Sequence, residues 1–326
     1  MDKRRAPVLT IVVTAFCIEK YLNHCLESLE SELFKLDVIV VNDGSTDGTL
    51  EIAENWKKKY PGNIAIIDKP NGGHGSTINE AILIAKGKYF RVLDGDDWLN
   101  TKTIKKYLET LETSTEDLIV TNYTYNYTVD NTKETVNSYE ALKNITTMEE
   151  LSNLSVSDHD FISQVSIHSC AIKTEALRKV WGKGLLEKTF YEDQQFVAKV
   201  ILAANSIKAY NLDIYQYMIG RNEQSMSKDK MFLHRGDHGK VLLELVKLAE
   251  SCDDSVKKKI LTRRNREIYK THYWIYFYHP GLTRKEKDEF KKLDNILKKH
   301  DHEISDNVDE RFKLQLFLGR YKAMLK

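Results

Sequence analysis

From Val8 to Val13 the chain is a continuous apolar, β-branched run, and after a polar break Leu22, Cys25, Leu26, Leu29 and Leu33 recur three and four residues apart. A short apolar run followed by a 3.6-residue period predicts a strand leading into an amphipathic helix. The alternation continues with a strand over Val38 to Val41, a helix over 49–60, a strand over Ile64 to Ile67, a helix over 77–85 and a strand over Tyr89 to Leu93. Strands alternating with helices predict an α/β fold, a mostly parallel sheet flanked by helices. In such sheets ligands bind outside the carboxyl ends of the strands, so chemistry is sought just after each one.

Leu118 to Tyr125 predicts another strand, and 126–160, rich in Asn, Thr and Glu with weak periodicity, reads as a variable insertion. Apolar character returns over Val165 to Ile172, followed by an expected helix from Glu192 to about Ala204 and a strand over Ile207 to Tyr217. From Phe232 onward only helical periodicity remains, with many Lys and Glu. The expected organisation is therefore an α/β domain over 1–230 and a helical C-terminal region over 231–326.

Composition narrows the class. A chain of 326 residues that is 41% hydrophobic can bury a substantial core. With 49 Lys+Arg against 48 Asp+Glu, no global field recruits nucleic acid or an acidic partner. Cys17, Cys25, Cys170 and Cys252 are scattered, which argues against a disulfide framework or a structural zinc site and for a reducing compartment. No run approaches the roughly 20 apolar residues that cross a bilayer. The basic start of "MDKRRAPVLTIVV" leads into an apolar run too short for a signal peptide, so a cytoplasmic protein is expected.

The predicted strand ends carry the candidate chemistry. The first ends in Thr14, Ala15 and Phe16, the second in "NDGSTDG" from Asn42. An aromatic face beside a carboxylate suits a nucleobase, with Phe16 on the ring and Asp43 accepting from an N–H; the alternative is a core Phe and an Asx-rich turn. "NGGHGS" from Asn71 leads into a helix, where glycines let backbone approach a ligand and unpaired N–H groups face an anion. It matches neither the Walker loop nor the dinucleotide fingerprint, and His74 reads either as a donor contact or as a structural histidine. Asp94, Asp96 and Asp97 at the end of the fourth strand would repel one another unless a cation such as Mn²⁺ or Mg²⁺, shared with a diphosphate, resolves the repulsion; a solvated acidic turn is the alternative. Glu192 and Asp193 open a helix, where they either cap it or supply a general base.

Taken together, "TIVVTAFCIEKYLNHCLESL", "VIVVNDGSTDGT", "NGGHGSTINEAILIAKGKYFRVLDGDDWL" and "YEDQQF" resemble glycosyltransferase family 2 over about the first 230 residues. The resemblance implies the GT-A fold and an inverting transfer from a UDP-sugar, in synthesis of a bacterial surface polysaccharide or glycoprotein glycan. It implies nucleotide contacts at Thr14, Phe16, Glu19 and Asp43 and, from the Gly loop and the Asp-x-Asp motif, at Gly73, His74, Asp94 and Gly95. It also implies a metal at Asp94, Asp96 and Asp97, a base at Asp193 supported by Glu192, and diphosphate contacts from Arg221 and Gln224 in "GRNEQSMS".

The chain departs from the family pattern in several places. Thr-Ala-Phe-Cys stands for Pro-x-Tyr-Asn after the first strand, and Asn42 stands for the first Asp of the second motif. Thr77, Ile78 and Asn79 stand where many members have Ala-Arg-Asn, so His74 or Arg221 would supply the missing donor. The aromatic stretch from Tyr269 and the basic, apolar stretch from Arg311 read as helices that pack on the rest of the chain or a second subunit, or that rest on the inner face of a membrane and meet a lipid-linked acceptor. A non-catalytic nucleotide-sugar binding protein and a nucleotidyltransferase are the alternatives of another class.

Overall fold

The computed structural model describes residues 6–220, 228–277, 279 and 281–300. The chain divides into two compact units, one of residues 1–153 and 163–222, the other of 154–162 and 223–326.

In the first unit the alternating pattern becomes β1 (Leu9–Ala15), α1 (Leu22–Glu27), β2 (Leu36–Asp43), α2 (Thr49–Lys59), β3 (Ile64–Lys69), α3 (His74–Ile84) and β4 (Tyr89–Asp94). After these come β5 (Trp98–Leu99), α4 (Ile104–Thr113), β6 (Leu118–Tyr127), β7 (Lys133–Val136), α5 (Ser138–Leu142), α6 (Met148–Ser152), α7 (Asp158–Gln164), whose residues 158–162 belong to the second unit, β8 (Cys170–Lys173), α8 (Thr174–Trp181), α9 (Glu192–Ala203) and β9 (Ile207–Ile219). The strands form one sheet in the order β3-β2-β1-β4-β8-β6-β9-β5, with β7 paired to β6. Strands β3, β2, β1 and β4 are mutually parallel, β8 is antiparallel to both β4 and β6, and β6 runs parallel to β9. Every residue of β1 and β2 is buried, which is why these strands read as apolar runs rather than as an alternation.

Three local features differ from the sequence pattern. The helix expected through Leu33 stops at Glu27, and a 3₁₀ segment, Glu30–Lys35, follows. There Leu29 N–H turns to Leu26 O and Glu32 N–H to Leu29 O, both at 3.1 Å, and these tighter turns feed the chain into β2. Helix α4 was missed by the sequence reading, although Ile104, Tyr107, Leu108 and Leu111, all buried, stand at the i, i+3, i+4, i+7 positions of one face. The polar stretch 126–160 holds β7, short helices and the capping box of Thr147 and Glu150 rather than one irregular loop.

The second unit is helical, with α10 (Lys228–Leu233), α11 (Arg235–Glu250), α12 (Ser255–Phe277) and α13 (Arg284–His300). It includes 154–162, where Arg263 of α12 donates to Leu154 O and Val156 O and lies 4.1 Å over the Phe161 ring. Tyr269, Tyr273, Tyr276 and Phe277 of the aromatic stretch are buried in this unit. The basic stretch from Arg311 lies outside the described residues. Among the described residues no helix is long and apolar enough to cross a membrane.

Candidate active site

The parallel strands end along one edge of the sheet, with Ala15 opposite Asn42 and Thr14 opposite Asp94. At the end of β1 the Phe16 ring is 52% exposed. Cys17 follows in the left-handed region at φ 51°, its N–H donating to Ser45 Oγ at 3.0 Å. Glu19 ties the same two loops together, accepting from Gly48 N–H at 2.7 Å while its own N–H donates to Asp47 Oδ2 at 3.1 Å.

Asp43, at the end of β2, is buried. Its Oδ1 accepts from Lys69 Nζ at 2.7 Å and from Gly72 N–H at 2.8 Å, and its Oδ2 from Gly73 N–H at 2.8 Å. The carboxylate that the sequence offered to a nucleobase therefore organises the glycine loop, with Lys69 from the end of β3 as its counter-ion and Ser76 Oγ within 2.8 Å of that ammonium. The glycines likewise admit the protein's own backbone. A Cβ on Gly75 would fall 2.4 Å from Leu186 O and 3.0 Å from Glu192 Cγ, and Gly73, at φ +83°, lies where a Cβ would meet Lys188 N at 3.0 Å. Lys188 N–H closes the contact by donating to Gly72 O at 2.6 Å.

His74 begins α3 at the centre of the site. Its Nε2 lies 2.8 Å from Asp94 Oδ1, at the end of β4, and its Nδ1 lies 2.7 Å from Glu192 Oε1, at the start of α9. A carboxylate oxygen only accepts, so both ring nitrogens donate and the ring is an imidazolium between two anions. Burial opposes that charge, but Asp94 and Glu192 override it and hold the His74 pKa well above its ordinary value. Burial would raise the Asp94 pKa, yet the His74 charge wins and holds it well below the usual carboxylate range. Thr14 Oγ1 also donates to Asp94 Oδ1, at 3.0 Å, and Asp94 Oδ2 makes no hydrogen bond among the described residues.

Asp193, next to Glu192, is half-buried; its Oδ2 accepts from Gln194 Nε2 at 2.9 Å. Burial, then the neighbouring Glu192 charge, raises its pKa to about 6, where a carboxylate can take up a proton near neutral pH. Tyr191, which precedes the pair, is in the left-handed conformation at φ 72°, so the chain turns sharply as it enters α9. Acidic residues in that first turn also complement the helix dipole.

The acidic cluster after β4 separates in space. Asp97 is buried, its Oδ2 accepting from Tyr215 OH at 2.6 Å and its Oδ1 from Met218 N–H at 2.8 Å. Burial and the Asp94 charge push its pKa well above the usual carboxylate range. Asp96 and Asp94 are half-exposed. No group of three or more His, Cys, Asp and Glu among the described residues is arranged to hold a metal by itself. Two carboxylates, one with an unengaged oxygen, nevertheless fit a divalent ion whose remaining ligands are diphosphate oxygens and water. Gly95, between them, lies so close to β1 that a Cβ would meet Thr14 O at 2.8 Å.

Arg221 and Gln224 lie outside the described residues. Lys69 and Tyr215 were missed by the sequence reading. Lys69 is the last residue of a strand entering a glycine loop, a readable signal; Tyr215, which pins both Asp97 and the Asp94 N–H (3.2 Å), sits in an aromatic strand with nothing in its spacing to mark it.

Comparison with known proteins places this geometry in a class. The model of glycosyl transferase family 2 matches residues 10–180, more than half of the chain, and the chain belongs to that family. Among its relatives, the glycosyltransferase GlyA of Streptococcus pneumoniae is 25% identical over 69% of this chain and 32% of its own length. The poly(ribitol-phosphate) beta-glucosyltransferase of Bacillus spizizenii is 26% identical over 67% of this chain and 33% of its own. The chain thus spans about a third of the length of these relatives. The structure of S. aureus TarS 1–349 in complex with UDP-GlcNAc superposes with a TM-score of 0.69 over 97% of this chain and 88% of that one, at 19% identity. That likeness establishes the fold: a GT-A sheet with flanking helices and a C-terminal helical region.

Proposed function

We propose that this chain transfers a sugar from a UDP-sugar to an acceptor hydroxyl with inversion at the anomeric carbon, and that the α/β unit carries the chemistry. The observation that carries this reading is Asp193: a half-buried carboxylate with its pKa raised to about 6, beside a Glu192 held by His74 to Asp94 at the strand edge. The fold shared with TarS, solved with UDP-GlcNAc, supports the donor class, and the names of the bacterial relatives support a cell-surface glycan acceptor.

In this reading the exposed Phe16 ring packs on the uracil, while Thr14, Glu19, Asp43, Gly73 and Gly95 shape its pocket through the loop contacts described above. Asp94 and Asp96 would hold a Mn²⁺ or Mg²⁺ ion, which when bound takes up negative charge on the diphosphate. Asp193 accepts the proton of the acceptor hydroxyl as its oxygen bonds to the anomeric carbon; the bond from that carbon to the UDP oxygen breaks, and UDP leaves with the electron pair. Asp97, buried and bonded to Tyr215, fixes the turn rather than binding the ion. Release of UDP from a panel of UDP-sugars, measured with and without Mn²⁺ and with glycan or poly(ribitol phosphate) acceptors, tests this. Acceptor-stimulated release is expected, and UDP binding with no release from any donor–acceptor pair would instead establish a non-catalytic nucleotide-sugar binding protein.

A further inference from the structure

Glu192 and Asp193 are adjacent acids on one helix turn, yet the structure treats them differently. The Glu192 side chain is 7% exposed and accepts from His74, whereas the Asp193 hydrogen bond is to a neutral amide, Gln194 Nε2. Three separate local features converge on Glu192. Tyr191 in the left-handed region turns the chain at the helix start. Gly75 has no side chain where Glu192 Cγ lies, and a Cβ there would be 3.0 Å from it. His74, 118 residues away in sequence, meets the carboxylate at 2.7 Å and passes the contact on to Asp94 at 2.8 Å. Without the His74 ring, the Glu192 carboxylate would lose the hydrogen bond that ties it to Asp94, and the first turn of α9 would relax away from the strand edge.

We infer that His74 is a positioning residue: it clamps Glu192 to Asp94 and so holds Asp193 at a fixed place relative to the donor-side carboxylate, rather than contacting the donor itself. Glu192 is then the anchor and Asp193 the free carboxylate of the pair. The inference rests on the proposed role of Asp193 as base. Displacement of a reacting group by about an ångström lowers turnover on the order of 10²-fold, so the clamp has a kinetic signature distinct from donor binding.

The test is a double-mutant cycle of His74→Ala and Glu192→Gln in the full chain, with His74→Gln as a milder variant and UDP affinity measured by calorimetry on each. The expected result is a fall in kcat of about 10²-fold for His74→Ala, a double variant no worse than the worse single, partial rescue in His74→Gln, and an unchanged Kd for UDP. Additive losses in the cycle, or a loss that appears as weaker UDP binding with kcat preserved, would overturn it. Asp193→Asn is run alongside: full activity there sinks the base assignment, whereas a lost activity there with additive His74 and Glu192 effects sinks only the clamp.

Discussion

In the α/β unit His74 sits between two carboxylates, 2.8 Å from Asp94 and 2.7 Å from Glu192, whereas in the helical unit His238 and His272 face each other, Nδ1 to Nδ1 at 3.2 Å, with Phe290 stacked on His272 and Tyr276 edge-on to it. The His74 side chain is 30% exposed, whereas His238 and His272 are 3% and 1% exposed, and the outcome is opposite. Burial drives the His238 pKa down to about 4, and burial, with the His238 charge adding to it, drives that of His272 well below its ordinary value. At His74 two anions more than offset the same penalty. The His238–His272 pair is neutral packing, the single His74 ring a charged junction between the ends of two chain segments, and the carboxylates, with the greater exposure of His74, make the difference.

The comparison can be broken most sharply at Asp193, the proposed base beside the charged junction. Asp193→Asn should lower kcat by about 10² to 10⁴ while UDP binding persists, measured by initial rates and calorimetry. Asp43→Ala should come next, because it removes the counter-ion of the Lys69 ammonium and the acceptor of the Gly72 and Gly73 amides in the loop that carries His74. Loss of one partner of such a buried pair costs about 3 to 5 kcal/mol, read as a lowered denaturation midpoint together with a weaker Kd for UDP. An unchanged midpoint would show that the loop orders without Asp43.

Gly75→Ala should lower kcat by about 10² at nearly constant UDP affinity, since a methyl group must push Glu192 or the Leu186 carbonyl aside. The smallest effect is a separation of two pH dependences. In the active site Asp193 must be ionised to accept a proton, so kcat/KM should fall about tenfold per unit as pH drops below about 6. In the helical unit the histidines have folded pKa values below the unfolded value of about 6.5, so the unfolded state binds more protons between that value and about 4. Stability is therefore fully present above pH about 6.5 and lost on acidification, at about 1.4 kcal/mol per pH unit for each histidine. His238→Asn with His272→Asn should flatten that stability limb and leave the rate limb in place; a rate limb that vanished with them would refute the separation.

Much of the first unit was legible because buried parallel strands leave continuous apolar runs and their helices leave a clear period, as at Val8 to Val13 and at Leu22, Cys25 and Leu26. The second half of the sheet was less legible. Strand β8 joins it antiparallel between β4 and β6, a placement that no local spacing encodes. The polar stretch 126–160 hid its short helices because helices of about five residues bury too few positions to show a period. At the site, residue types were informative and partners were not: "GGHG" announced close approach by backbone, but the approaching group is the 185–192 segment of the same chain.

The sequence by itself determined the alternation of strands and helices, the edge of the sheet where acids and glycines gather, and the family to which those motifs belong, because periodicity and motif order are local properties of the chain. Only the tertiary structure decided where each acid goes. Asp97 goes inward to Tyr215 and Met218, Asp94 and Glu192 meet across His74, and Asp193 stays half-exposed, because burial and charge pairing depend on residues brought together from as far as 121 positions apart.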